Sequence, residues 1–273
     1  METALKGYEE QLREQEKSPA TIEKYLRDVR AFLKYAGAAW GKETVIGYKR
    51  YLQETYAPAS VNSMLTAVNG YLRYLGRPEC QVKLLRIQRQ IFLQEEKELS
   101  REEYRRLVAA AGKRRIGYIL QTLCGTGIRV SELQYITAEA VRQGHAEVQC
   151  KNKTRVIIIP VSVQRLLKGY MKRAGIKTGS VFVTRGGKPL DRSNIWKEMK
   201  ALCQRAGVKA EKVYPHNLRH LFARLFYRME KDVVRLADIL GHSSVNTTRI
   251  YTMDSLQNSR PSLDRLGKLL MTT

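Results

Sequence analysis

The sequence predicts a mainly α-helical protein with one small antiparallel β-sheet, divided into an N-terminal helical module and a larger C-terminal domain. Three observations predict it. Apolar residues recur at helical spacing through most of the chain. Residues of high β propensity cluster in one place, AEVQC (146–150) and TRVIIIP (154–160), with Lys151-Asn152-Lys153 at the turn between them. A mixed basic and then acidic stretch, 79–98, separates two blocks of helical pattern.

Taken in order, Ser18-Pro19 opens a helix, a capping side chain followed by the residue best suited to the first helical position. Ile22, Tyr25, Leu26, Val29, Phe32, Leu33 and Ala36 continue it, and Ala38 to Gly41 breaks it. A second helix is expected over 43–54. A third runs from about Ser60, with Val61, Met64, Leu65, Val68, Leu72 and Leu75 on one face, and stops at Gly76-Arg77-Pro78. The helical module therefore spans 1–78 and the linker 79–98. The C-terminal domain, 99–273, starts at Ser100-Arg-Glu-Glu103, a capping box in which Ser100 and Glu103 satisfy each other's orphan amides. IGYILQTLCGTGIRVSEL then predicts a helix, a Gly-rich turn and a second helix, before the hairpin. Further helices are expected at about 162–174, 193–206, 215–229, 231–240 and 245–253. A tail helix carries Leu263, Leu266, Leu269 and Leu270.

Charge narrows the partner. Lys and Arg number 49 against 26 acidic residues, a formal net charge of +23. A surplus that large repels itself in a folded chain, and neutralising phosphates with release of counterions is the usual reason for it. A ribosome-associated or membrane-surface protein would share the charge. The start, METALKGYEEQL, lacks the apolar region of a signal peptide. The most apolar run, VIIIPV at 156–161, is far shorter than the roughly 20 residues of a spanning helix. Cys80, Cys124, Cys150 and Cys203 are scattered and form no CxxC pair, which argues against a zinc site or a secreted disulfide framework. A cytoplasmic protein with reduced thiols and no membrane partner is expected.

The chemistry concentrates near the C-terminus. Of the four histidines, His216, His220 and His242 fall within 27 residues, with Arg219 among them and Tyr251 nine residues past His242. Pro215 opens a helix whose apolar face is Leu218, Leu221, Phe222 and Leu225. His216 and Arg219, three apart, neighbour each other on another face and could grip one anion. KDVVRLADIL ends at Gly241, so His242 projects from a tight corner. Singly, each residue has an ordinary explanation: a capping histidine, a surface arginine, a loop histidine, one of fifteen tyrosines. HxxR, then LGH, then a tyrosine nine residues on is a joint pattern that surface residues do not supply by chance. The neighbours of His220 suggest packing or support of the others.

These residues give the chain a resemblance to the tyrosine recombinase (phage-integrase) family, covering nearly its whole length. GTGIRVSEL (125–133) resembles the family's first box, with Arg129 as catalytic arginine and Glu132 as the acidic residue three later. HNLRH (216–220) resembles the second, implying His216 and Arg219. LGHSSVNTTRIYT (240–252) matches the third, implying His242 and the nucleophile Tyr251. The N-terminal module resembles the family's SAM-like core-binding domain. The family also places a catalytic lysine in a β-hairpin turn between the first two boxes. CKNKTRVIIIP offers Lys151 and Lys153 there, but the usual pattern has one more residue between its two lysines. Lys151, on the first-strand side, is preferred, and Lys153 stays open.

The reaction so implied is site-specific phosphodiester exchange without hydrolysis. Tyr251 attacks a backbone phosphate, leaving a 3′-phosphotyrosyl enzyme and a free 5′-hydroxyl, so that the bond is kept for rejoining. Arg129 and Arg219 meet the charge that builds on the non-bridging oxygens. His216 and His242 donate to the phosphate or manage the tyrosine proton, and the lysine protonates the leaving oxygen. No cofactor or metal is expected. The acidic clusters of two-metal nucleases are missing, and GTGIR and TRGGK are not Walker loops. Double-stranded DNA is the expected partner, bound by four protomers on two sites that exchange their tails. The expected role is integration or excision of a mobile element, or dimer resolution. A type IB topoisomerase-like enzyme shares the chemistry. A DNA-binding protein with an inactive site shares the charge, as does an RNA-binding protein.

Overall fold

The computed structural model describes residues 2–37, 39–87, 95–150, 153–184, 186–242, 244–248 and 251. They fall into two compact units, 1–89 and 90–273.

Four helices build the first unit: α1 (Glu2–Glu14), α2 (Pro19–Ala36), α3 (Lys42–Thr55) and α4 (Pro58–Tyr74). Ser18 caps α2 as expected, its hydroxyl accepting from the Thr21 N–H at 3.4 Å. Helix α1 lies upstream of the first helix expected from sequence. It forms because Tyr8 and Leu12 find the core, each only 2% exposed, with the Tyr8 ring against Tyr71 and Tyr74 at 5.3 and 5.5 Å. Val29, Phe32, Val45, Leu52, Leu65 and Val68 fill the centre. The stretch after α4 does not leave at once. Asn69 exchanges hydrogen bonds with the backbone of Val82 at 2.8 and 3.0 Å, and Asn62, seven residues earlier on the same helix, does so with Leu85 at 2.9 and 2.7 Å. Two amide side chains thus hold residues 82–85 on α4 much as a strand partner would.

The second unit contains α5 (Arg101–Ala111), α6 (Arg115–Thr126), a 3₁₀ segment (Val130–Tyr135), α7 (Ala138–Gln143), the strands β1 (His145–Cys150) and β2 (Lys153–Ile158), α8 (Val161–Ala174), α9 (Arg192–Lys200), α10 (Cys203–Ala206), α11 (Pro215–Glu230), α12 (Val233–Leu240) and α13 (Val245–Thr248). The strands pair antiparallel, from His145 opposite Ile158 to Cys150 opposite Lys153. Helix α6 is apolar on almost every face and runs buried through the centre, against α5, α8 and α11. The capping box at Ser100 is present, with both bonds at 2.8 and 3.0 Å.

Two expectations are corrected. The segment after GTG is a 3₁₀ turn rather than an α-helix. Its tighter i→i+3 winding lets Glu132 fold back onto both the backbone N–H and the guanidinium of Arg129. The helix expected over 193–206 breaks at Ala201-Leu202. There the Leu202 N–H bonds to Met199, and this tightening keeps Met199, Leu202 and Cys203 all turned into the core. The last expected helix is described only as α13, and the tail helix lies outside the described residues. No described helix is long and apolar enough to cross a membrane.

Candidate active site

The C-terminal boxes meet around one guanidinium. Arg219, on α11, is 1% exposed. Its Nη1 donates to the Gly127 carbonyl and its Nη2 to the Leu240 carbonyl, each at 2.7 Å. Gly127 is where the turn after α6 needs a positive φ, +65°, and a Cβ there would sit 2.4 Å from the Phe222 ring. Only glycine therefore brings that carbonyl to the arginine. The second carbonyl comes from the end of α12, where Gly241 turns the chain at φ +63° and aims His242 inward. Arg219 makes no ion pair with a carboxylate among the described residues, and its buried Nε finds no acceptor among them. Burial first, and the nearby charge of Arg129 next, lower its pKa to about 10, so it stays cationic at neutral pH.

His242 settles its own tautomer. Its Nε2 lies 2.9 Å from Arg219 Nη2, which can only donate, so Nε2 must accept. The proton then sits on Nδ1, which donates to the Thr248 hydroxyl at 2.7 Å. Burial, then the charges of Arg219 and Arg129, push its pKa down to about 4, in keeping with a neutral ring. His216 is pushed in the same direction, by burial of the ring and by His220, Arg219 and Arg129. The residue is exposed overall, however, so solvent softens that effect.

Tyr251 is 5% exposed and packs with Ala223, Leu236 and Leu240. Burial raises its hydroxyl pKa, and the charge and hydrogen bond of Arg219 pull it back. The His220 ring meets the Tyr251 ring edge-on at 5.0 Å, and the His242 ring stacks at 6.1 Å. The tyrosine therefore sits with its own chain's Arg219 and His242.

Arg129 is more open, with 43% of its side chain exposed. It donates to Glu132 at 3.0 Å and to the Gly241 carbonyl at 3.3 Å. Glu132, buried, is also bound by Arg155 from β2 at 2.8 Å, and Arg155 reaches on to the Ile239 carbonyl at 3.2 Å. One carboxylate thus ties the first box, the hairpin and the corner at His242 together. Lys151 lies outside the described residues. The Lys153 backbone belongs to β2, and its side chain is also outside them.

Arg129, His216 and Arg219 open on one cavity of about 530 Å³, whose other walls include Arg192, Trp196 and Lys200 of α9. No carboxylate among the described residues lines it. Three arginines, a lysine and a histidine around a space without an acidic residue form a receptor for an anion. Sequence reasoning missed Arg155 and the three α9 residues. Arg155, in TRVIIIP, carried a faint signal as the one charge among β-forming residues. The α9 cations look like any others among the 49 basic residues.

A helical domain with a two-stranded sheet, a buried arginine, two histidines and a tyrosine in one cluster has the make-up of an integrase-type strand-transfer domain. Comparison agrees: the phage integrase family matches residues 97–258, and the phage integrase N-terminal SAM-like domain matches 5–79. The chain belongs to the phage integrase family, the tyrosine recombinases. The tyrosine recombinase XerA of Thermococcus onnurineus (strain NA1) is 28% identical over 272 residues, covering 96% of this chain and 94% of XerA. A crystal structure of XerA recombinase superposes with a TM-score of 0.54 at 27% identity, over 97% of this chain and 98% of that one. A lambda integrase tetramer bound to a Holliday junction shares the fold, with a TM-score of 0.73 at 18% identity over 92% of this chain and 76% of that one.

Proposed function

We propose that this chain is a site-specific DNA recombinase whose nucleophile is Tyr251. The observation that carries the reading is the buried Arg219, cationic and, among the described residues, without a carboxylate partner, opening with Arg129 and His216 on a cavity that no described acidic residue lines. A DNA phosphate there supplies the missing negative charge. The Tyr251 oxygen bonds to phosphorus as the bond to the 5′-oxygen breaks, leaving a 3′-phosphotyrosyl link and a 5′-hydroxyl. Arg129 and Arg219 hold the non-bridging oxygens. His216, facing the cavity, takes or returns the tyrosine proton, and His242, held neutral, keeps Arg219 and Tyr251 in register. Lys151, with Lys153 as the alternative, donates a proton to the leaving oxygen. The reading needs no metal or nucleotide cofactor.

Double-stranded DNA is the proposed partner. Four protomers on two sites, joined by their tails (252–273), are the proposed working assembly. The lambda integrase neighbour, a tetramer bound to a Holliday junction, supports the number four. We infer that the protein acts in the cytoplasm, either resolving dimers or moving a mobile element.

Covalent trapping tests the reading. Wild type and Tyr251→Phe are incubated with nicked duplexes carrying random cores in buffer with EDTA, and denatured adducts are resolved on a gel. An adduct in wild type alone is expected. An adduct that persists in Tyr251→Phe would mean that the nucleophile is another residue. Sequencing the trapped DNA separates the two roles: one palindromic chromosomal site indicates resolution, and the ends of an element indicate mobility.

A further inference from the structure

The chain enters the catalytic unit along α11. Asn217 Nδ2 donates to the Lys97 carbonyl at 3.0 Å, and Arg224 Nη2 to the Leu99 carbonyl at 2.7 Å. Between them, Glu98 Oε1 lies 3.2 Å from His220 Nδ1. Residues 217, 220 and 224 follow helical spacing, so the segment runs along one face of the helix. Its backbone is already anchored on both sides of Glu98. The Glu98 carboxylate pairs with Arg224 through Oε2, 3.5 Å from Nη2, and its other oxygen is placed on the one histidine that touches both His216 (ring centroids 4.6 Å apart) and Tyr251 (5.0 Å).

A lone imidazole can turn about its side-chain bonds and carry its proton on either nitrogen. A carboxylate on Nδ1 fixes both, as it does for histidines that bind metals. The interplanar angle of 74° between His220 and Tyr251 is an edge-to-face contact, which a turned imidazole would lose. Burial acts to protonate Glu98, but the hydrogen bond from His220 and the charge of Arg224 outweigh it and keep the group ionised. Resting on the reading of Tyr251 as nucleophile, we propose that Glu98 is a positioning residue: it holds the His220 ring, and that ring seats the Tyr251 ring for attack.

The test uses the full chain and a nicked duplex site recovered by trapping. Glu98→Ala is expected to slow single-turnover adduct formation about tenfold, with duplex affinity within about twofold of wild type. Glu98→Gln, which keeps an acceptor, should recover most of the rate. In a His220→Phe background, Glu98→Ala should cost nothing further. A wild-type rate in Glu98→Ala, or the same tenfold loss without His220, overturns the proposal. A second measurement needs no DNA. With ¹³C-labelled tyrosine, the ring signal missing from Tyr251→Phe should shift in Glu98→Ala and stay put in Glu96→Ala, a change at an exposed neighbour. A Tyr251 signal unmoved by Glu98→Ala overturns the proposal whatever the activity. A shifted signal in a protein that forms no adduct on any duplex upholds the seating of Tyr251 and refutes the catalytic reading instead.

Discussion

In the N-terminal unit, the one charged side chain among the described buried residues is Asp28, and two cations sit on it: Lys24 Nζ at 2.6 Å and Arg27 Nη2 at 3.1 Å. In the catalytic unit Arg219 is buried more deeply, and its hydrogen-bond partners among the described residues are neutral: two carbonyls, an imidazole and the Tyr251 hydroxyl. The first arrangement is closed. Its charge is balanced inside the unit, beside a core of aromatic and aliphatic side chains. The second is open, holding a positive charge that burial alone disfavours. A fold keeps such a charge where an outside anion completes it, and this difference separates a unit that holds its shape from a unit that does chemistry.

Arg219→Met removes the buried charge itself. It is expected to lower adduct formation on a nicked duplex about a thousandfold, the order found when a preorganised donor to a developing oxyanion is removed. The same change should leave the melting temperature equal or higher, because it removes an unbalanced buried charge and keeps most of the volume. A large fall in melting temperature would show that the neutral partners already satisfy Arg219, and that the catalytic unit is as closed as its neighbour.

The opposite change belongs to the first unit. Phe32 is 0% exposed and contacts the Trp40 and Tyr48 rings at 5.6 and 5.3 Å. Phe32→Ala should cost about 3–5 kcal/mol. The chain has two tryptophans, Trp40 in this unit and Trp196 in the other. In a Trp196→Phe background, fluorescence therefore follows the N-terminal unit alone. An unchanged denaturation midpoint would mean that this core is looser than its burial implies.

Acid sharpens the contrast at intermediate size. His242 titrates near 6.5 when unfolded and is pushed down to about 4 when folded. Between those values the unfolded chain takes up a proton that the folded chain refuses. The stability it contributes is therefore whole above pH 6.5, is lost as pH falls toward 4, and changes no further below that. The loss is at most ~3 kcal/mol and smaller to the extent that water reaches the ring. His242→Asn should flatten this part of the pH curve of Trp196 unfolding. Inorganic phosphate should do so in wild type, because an anion beside Arg219 eases protonation of its neighbour. A slope indifferent to both would place the acid sensitivity elsewhere.

Much of this was legible in the sequence, for reasons that can be named. Arg129, His216, Arg219, His242 and Tyr251 stand in ordered boxes, and glycines at 127 and 241 mark the two turns that bring those boxes together. Ser18 and Ser100 announced their helices because capping is a local interaction. Helix α1 was not expected because Leu5, Tyr8 and Leu12 make a sparse pattern that only the α4 tyrosines complete. Glu98 and Arg155 were missed for a related reason. Their partners lie 122 and 23 residues away, and nothing local marks a carboxylate or guanidinium as bound. The α9 cations differ from other basic residues only in facing the cavity, a property of packing.

The smallest effect tests whether the catalytic unit separates stability from activity. Ser100 and Glu103 cap α5, and Lys212 holds Glu103 at 3.0 Å. Ser100→Ala removes the hydroxyl acceptor and should cost ~1 kcal/mol, read by Trp196 in a Trp40→Phe background. Ser100 follows Leu99, whose carbonyl is bound by Arg224 on α11, so the cap lies two residues from the carboxylate placed on His220. If α5 only frames the site, adduct formation stays within about twofold of wild type, the unit remaining almost wholly folded after so small a loss. A cleavage rate that falls severalfold with the same small loss of stability would show that fraying at this cap loosens Glu98, and that the strain-sensitive part of the unit extends from the buried arginine to the segment by which the chain enters it.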